Sequence, residues 1–346
     1  MTPLPEEIFQ PGRPDKPLAI LIHGHGASRQ VWSDPTNEWI RDKGGVRLLP
    51  FALCLSVFDT PDPACGYRLP GRFSRIVCST PLAHAGRPVR PFWDALSAAG
   101  HPLYAWSQSE PNGPIDVAID ELARAVPRAL ELAGRDRCAI VGHSRGALVA
   151  RAWLADRRAM PRAVTGMVLV APPNLGSGLA AHSRWLGRFA DIRLIPFLLR
   201  MIPTQDRHEM RVLSRFLMRL LKYARGPAIE ELMPRSTFIR WLRDREAREA
   251  ALGIPMHVVA GNSPAFTRVF YELGNGTLRE LFAASKGLRW PLFPDEVCDG
   301  KGDGLVAVSS TALAHATHYP TRPVNHGTIM VDEATQDRVV DILGTF

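Results

Sequence analysis

Three residues of this sequence have the types and local settings needed to activate an oxygen nucleophile: Ser144, Asp303 and His326. Ser144 is the centre of Gly142-His143-Ser144-Arg145-Gly146. An apolar run, Cys138-Ala139-Ile140-Val141, precedes it, and Ala147-Leu148-Val149-Ala150-Arg151-Ala152-Trp153-Leu154 follows. That order predicts strand, sharp turn and helix, with the serine at the apex. Side chains two positions to either side would collide with the adjoining strand and helix, and glycine avoids the collision. The competing reading is a Gly/Ser turn without chemistry, and the placement between a buried-type strand and an amphipathic helix favours the nucleophile. A serine hydroxyl is a weak nucleophile at neutral pH. It needs a base, an acid that orients the base, and donors for the charge that develops on the attacked oxygen.

Two late motifs supply the partners. Gly302-Asp303-Gly304-Leu305-Val306 sets an aspartate in a glycine-flanked turn, and Val324-Asn325-His326-Gly327-Thr328 sets a histidine in a loop near the chain end. His326 would take the Ser144 proton and later deliver one to the leaving group, while Asp303 holds its tautomer. Asp-Gly is also an ordinary turn pair, so Asp299 and Asp295 stand as alternatives for the acid. The oxyanion site needs backbone N–H donors. Arg145, directly after the serine, is one; the other is His25, with Gly26 second, in the His23-Gly24-His25-Gly26 loop. His143 reads as packing beside the turn. His315 and His318 have an H-x-x-H spacing, but no nearby acid or cysteine completes a metal set.

These residues require a scaffold that brings distant segments together. Leu18-Ala19-Ile20-Leu21-Ile22 reads as a strand buried on both faces. Helices are expected over 29–42, 91–99, 115–133 and 144–156. Strands are expected over 101–106, 137–141, 164–170, 255–260 and near 317–320. Strands alternating with helices of this length imply an α/β fold, a mostly parallel sheet with helices on both faces. Residues 175–250 break the rhythm: 192–202 is apolar with interspersed arginines, and 205–223 has helical periodicity. The expected organisation is a core of residues 1–174 and 251–346 with a helical lid at 175–250. Residues 46–90, rich in Pro, Gly and Arg, yield no assignment beyond short apolar runs at 46–58 and 75–78.

The chain has 346 residues, enough for a large core, and a net charge of +8. Residues 184–250 hold 15 Arg and Lys against 8 Asp and Glu, nearly the whole excess. Arg211, Arg215, Arg219 and Lys222 recur at helical spacing as one basic stripe. So local an excess points to an anionic partner, a membrane surface or an acidic substrate. Nucleic acid is disfavoured, because zinc-finger spacing and RNA-binding aromatic motifs are both missing. No run approaches the roughly 18 uncharged apolar residues of a membrane-spanning helix. The first seven residues have neither the basic nor the apolar region of a secretory signal. Five cysteines without a C-x-x-C fit a reduced, cytoplasmic setting, with one disulfide among Cys54, Cys65 and Cys78 left open.

With these motifs in view, the chain resembles the α/β-hydrolase superfamily, and within it bacterial triacylglycerol lipases and GPI inositol-deacylase-like esterases. His23-Gly24-His25-Gly26 is similar to the lipase oxyanion loop, and the Ser144 segment to the lipase elbow. Ala171-Pro172-Pro173-Asn174-Leu175-Gly176-Ser177 looks like the strand-end segment T-P-H-x-G-S. Glu231-Leu232-Met233-Pro234-Arg235-Ser236-Thr237-Phe238-Ile239 resembles a lid segment of these enzymes. The order serine, acid, histidine also matches. The resemblance covers roughly residues 18–45, 91–180, 228–262 and 300–345 and departs in two places. Asn174 stands where the family often has other residues and Pro173 replaces the usual histidine, so a different pocket wall is expected. Thr328 stands where many secreted lipases have a calcium-binding aspartate, so no such calcium site is expected. The resemblance implies a serine carboxylic-ester hydrolase acting on a hydrophobic ester, without cofactor or metal. Thioesterase, amidase and acyltransferase chemistry on the same triad remain alternatives, as does an inert lipid-binding scaffold.

Overall fold

The computed structural model describes residues 4–35, 90–156, 158–181, 226–264 and 294–346, together with the backbone of short strands between 45 and 88 and between 268 and 283. Seven strands form the central sheet in the order Ile8–Gln10, Leu103–Ala105, Leu18–Ile22, Cys138–His143, Val164–Val170, Met256–Val259 and Thr317–His318. Only the first pair runs antiparallel; the other five pairs are parallel. The architecture is therefore the expected α/β one, with an additional antiparallel edge.

Alternation along the strands divides the core. Leu18, Ile20, Ile22, Ile140, Met167, Leu169 and Val258 face one layer, built on the helices Ile115–Ala133 and Arg145–Leu154. Ala19, Leu21, Ala139, Val141, Val168 and Val170 face the other, with Phe92–Ala98 and Glu333–Leu343. A strand buried on both faces has no polar alternate positions, which is why these runs read as continuously apolar. Each large side chain sealed this way contributes about 1.5–3 kcal/mol. The smaller Cys138 is buried among them, a free thiol whose pKa burial pushes up to about 12.

The expected helix at 29–42 is realised as Gln30–Ser33, and residues 36–44 lie outside the described residues. The unassigned segment 46–90 contributes a second sheet. Gly45–Leu48, Phe51–Cys54 and Arg75–Ile76 join Arg268–Glu272 and Leu278–Ala283 in five antiparallel strands. Phe51–Cys54 pairs with a strand more than 200 residues away, a contact that no local periodicity reports. Of the expected lid, 192–202 and 205–223 lie outside the described residues. Within 226–251 the chain forms the helices Pro227–Leu232, Thr237–Arg243 and Glu246–Ala251. No helix among the described residues is long and apolar enough to cross a membrane.

Candidate active site

Ser144 stands at the end of the strand Cys138–His143 and at the N-cap of the helix Arg145–Leu154, with φ 55° and ψ −127°. A non-glycine residue held there stores of order 1–3 kcal/mol of strain. Two backbone bonds impose it: Ser144 N–H donates to Val170 O at 2.8 Å, and Ala147 N–H donates to Ser144 O at 3.0 Å. The flanking glycines have the steric cause expected. A Cβ on Gly142 would lie 2.6 Å from Ala147 Cα, and one on Gly146 would collide with the carbonyl of Ile22. The turn therefore packs the start of the helix directly onto the neighbouring strand.

Asp303 and His326 are both buried and meet directly. His326 Nδ1 lies 2.7 Å from Asp303 Oδ2, and His326 N–H donates to Asp303 O at 2.8 Å. The other carboxylate oxygen is occupied by its own turn, accepting from Leu305 N at 3.0 Å and Val306 N at 2.7 Å. Asp303 is thus fixed in orientation before it meets the ring. Its position makes Nδ1 the protonated nitrogen and leaves the Nε2 lone pair for proton transfer. The His326 loop is tied by Asn325, whose Oδ1 accepts from Gly327 N at 2.9 Å and Thr328 N at 2.8 Å. Thr328 Oγ1 in turn accepts from Asn325 N at 2.9 Å. Of the alternative acids, Asp295 pairs with Lys301 at the surface and Asp299 is exposed.

His143, next to Ser144 in the chain, touches His326. The His143 ring lies 4.8 Å from the His326 ring, and its Nε2–H donates to His326 O at 3.2 Å. His143, read from sequence as packing, thus ties the serine turn to the histidine loop. No hydrogen bond joins Ser144 Oγ to His326 Nε2 among the described residues. Such contacts are often long in unliganded sites and tighten around a substrate.

The loop after Leu18–Ile22 lies against the serine. A Cβ on Gly24 would stand 2.8 Å from Ser144 Cβ and 3.3 Å from Ser144 Oγ, so the loop backbone reaches the hydroxyl only because Gly24 has no side chain. His23 anchors this approach. Its Nε2 accepts from Gln108 N at 2.8 Å, its Nδ1–H donates to Gly24 O at 3.0 Å, and its own carbonyl accepts from Gln108 Nε2 at 2.8 Å. Burial pushes the His23 pKa down to about 4, with the Arg145 charge acting in the same direction. Gly26, second choice as an oxyanion donor, gives its N–H to Pro111 O at 3.2 Å.

Two arginines on the Ser144 helix have side-chain roles that the motifs do not reveal. Arg145 is buried: Nη2 donates to Gly113 O at 2.7 Å and lies 3.5 Å from Glu231, and Nη1 reaches Gln108 Oε1 at 3.4 Å. Arg151 is equally buried, bonding Glu249 through Nε and Nη2 and Asn174 Oδ1 through Nη1 at 3.0 Å. Asn174 Nδ2 donates to Thr311 O, so the strand-end segment around Pro173 is fastened by a side chain that the sequence left without a role. A buried-type arginine inside an otherwise apolar helix was the signal available. His315 lies 3.7 Å from Glu249 and 3.9 Å from Glu246, and His318 meets the Leu313 backbone. Among the described residues no group of three His, Cys, Asp or Glu could hold a metal ion.

A family model described as a domain of unknown function (DUF7379) matches residues 118–288. No curated protein matches the chain. Among solved structures, the chain is similar to the mature form of the Bacillus licheniformis lipase BlEst2, with TM-score 0.54 and 16% identity over 96% of this chain and 94% of that one. It is also similar to the propeptide form of that lipase, with TM-score 0.55 and 15% identity over 98% of this chain, and spans 53% of that chain. A hydrolase from Pseudomonas aeruginosa matches more loosely, at TM-score 0.45 and 16% identity over 98% and 93% of the two chains. At such identities the likeness is one of fold, and the fold is that of the α/β-hydrolases.

Proposed function

We propose that the protein is a serine hydrolase of carboxylic esters with a hydrophobic acyl part, using Ser144 as nucleophile, His326 as base and Asp303 as its orienting acid. The observation that carries this reading is the buried 2.7 Å Asp303–His326 contact beside a strained serine turn. In the first half-reaction Ser144 Oγ attacks the acyl carbon as His326 Nε2 takes its proton. The carbonyl oxygen becomes an oxyanion facing the N–H groups of Arg145 and His25. Collapse breaks the bond to the alcohol, which leaves with the proton from His326. Water then repeats the sequence on the acyl-enzyme, giving the acid and free Ser144. No cofactor or metal enters either half.

The fold shared with a lipase is compatible with this chemistry, but a fold does not select a substrate. Thioester, amide or acyl-transfer chemistry would use the same groups, and the narrower kinship to GPI inositol-deacylase-like esterases rests on motifs alone. We assign residues 175–250 to a lid over a core of 1–174 and 251–346, with its basic surplus directed at anionic lipid from the cytoplasmic side. The test is hydrolysis of p-nitrophenyl esters from acetate to palmitate by wild type and Ser144→Ala. Loss of about 10⁴-fold or more in the variant supports the reading. Absence of wild-type activity on every ester, with and without anionic vesicles, would shift it to another acyl substrate or to an inert scaffold.

A further inference from the structure

A buried guanidinium next to the serine is expensive. Replacing a buried ion pair by apolar groups often leaves a protein as stable or more so, so stability alone gives little reason to retain Arg145. Its Nε has no partner among the described residues, and burial holds its pKa below the ordinary arginine value. Glu231 lies between two positive groups, accepting from Ile115 N at 3.0 Å through both oxygens at the start of a 19-residue helix and facing Arg145 at 3.5 Å. Burial nonetheless pushes its carboxyl above the usual range.

Gln108 is where this charge pair meets the serine loop. It is 5% exposed and engaged on three sides: Oε1 toward Arg145, Nε2 to His23 O, and backbone N–H to His23 Nε2. A primary amide can rotate by half a turn at almost no steric cost, exchanging oxygen for nitrogen. Turned over, it would set Oε1 against the His23 carbonyl and NH₂ against the guanidinium, two repulsive contacts. The Arg145 charge therefore dictates which way Gln108 faces, and Gln108 dictates where the His23 carbonyl and ring stand. His23 in turn bonds Gly24, the residue packed on Ser144 Oγ.

We infer that Glu231, Arg145 and Gln108 are positioning residues, a chain that makes the oxyanion loop at 23–26 hold its shape only while the 226–251 segment is docked. The inference rests on the ester-hydrolase reading for its kinetic consequence, not for its structural one. The direct test compares Glu231→Gln, Gln108→Glu and their double variant, with kcat expressed per Ser144 titrated by a fluorophosphonate. Each single change should lower kcat roughly 10- to 100-fold with KM nearly unchanged, the size expected for misplacing a reacting group. The double variant should be no worse than the poorer single one, since both break one chain. Gln108→Glu separates positioning from packing. Its carboxylate can pair with Arg145 and hold stability, yet it cannot donate to the His23 carbonyl, so kcat should fall without a fall in Tm.

Independent, additive losses, or lower Tm at unchanged kcat, would overturn the inference. If the wild type hydrolyses no ester, the functional reading fails and nitrogen NMR of the His23 imidazole decides the chain on its own. Glu231→Gln should then still shift the His23 resonances, and unchanged resonances would overturn it.

Discussion

The proposed reaction turns on one lone pair, that of His326 Nε2, and Asp303 keeps it available. Asn at position 303 would offer an NH₂ or a weaker acceptor to Nδ1 and favour the wrong tautomer. Asp303→Asn should therefore lower kcat by about 10⁴-fold while the fold survives, as read from ester kinetics and circular dichroism together. A second group sets a pH limit. His23 has an ordinary pKa near 6.5 when unfolded and about 4 when folded, so folding favours its neutral form. The stability this contributes is complete above pH ~6.5 and is lost as pH falls toward 4, up to roughly 3 kcal/mol. Denaturant melts at fixed ionic strength across that window should show the loss, and His23→Asn should flatten the slope. The Ser144 turn and the Asp303–His326 contact were legible because each sits in a short motif with its own steric or hydrogen-bonding logic. Gln108 was not, because its role exists only through His23, 85 positions away, and Arg145.

Between elements, two buried arginines on one helix fasten the 226–251 segment. Arg151 and Glu249 are 2% and 7% exposed and share three hydrogen bonds, so removing one partner strands the other charge. Glu249→Ala should cost about 3–5 kcal/mol, whereas Arg151→Met with Glu249→Leu should recover most of it. Urea melts of the three proteins test the contrast, and equal destabilisation of both variants would show that packing matters here more than charge. The parallel strands and the two long helices were readable from apolar runs and 3.6-residue periodicity. The edge strand Ile8–Gln10 was not: three residues among prolines have no period, and their pairing to Leu103–Ala105 is set by the sheet. The second sheet escaped for the same reason. Its strands are two to six residues long, and the pairing that joins its two halves spans more than 200 residues.

At the scale of the whole molecule, the net charge is concentrated in one stretch of the sequence. Residues 184–250 carry 7 of the net +8, while the Ser144 turn and the His23–Gly26 loop follow the C-terminal ends of two adjacent parallel strands. If that segment meets a membrane as proposed, the protein should bind vesicles more tightly as anionic lipid rises and release them as salt rises, the dependence set by screening over roughly 8–10 Å. Sedimentation with phosphatidylcholine vesicles, with and without phosphatidylserine, reads this directly, and indifference to both lipid charge and salt would remove the membrane from the proposal. The central claim is narrower and has its own measurement. Folded wild-type protein treated with a fluorophosphonate should take up one label per chain, mapped to Ser144 by peptide mass spectrometry and greatly slowed in His326→Ala. A folded protein that takes no label, or takes it at another residue, would contradict Ser144 as the nucleophile.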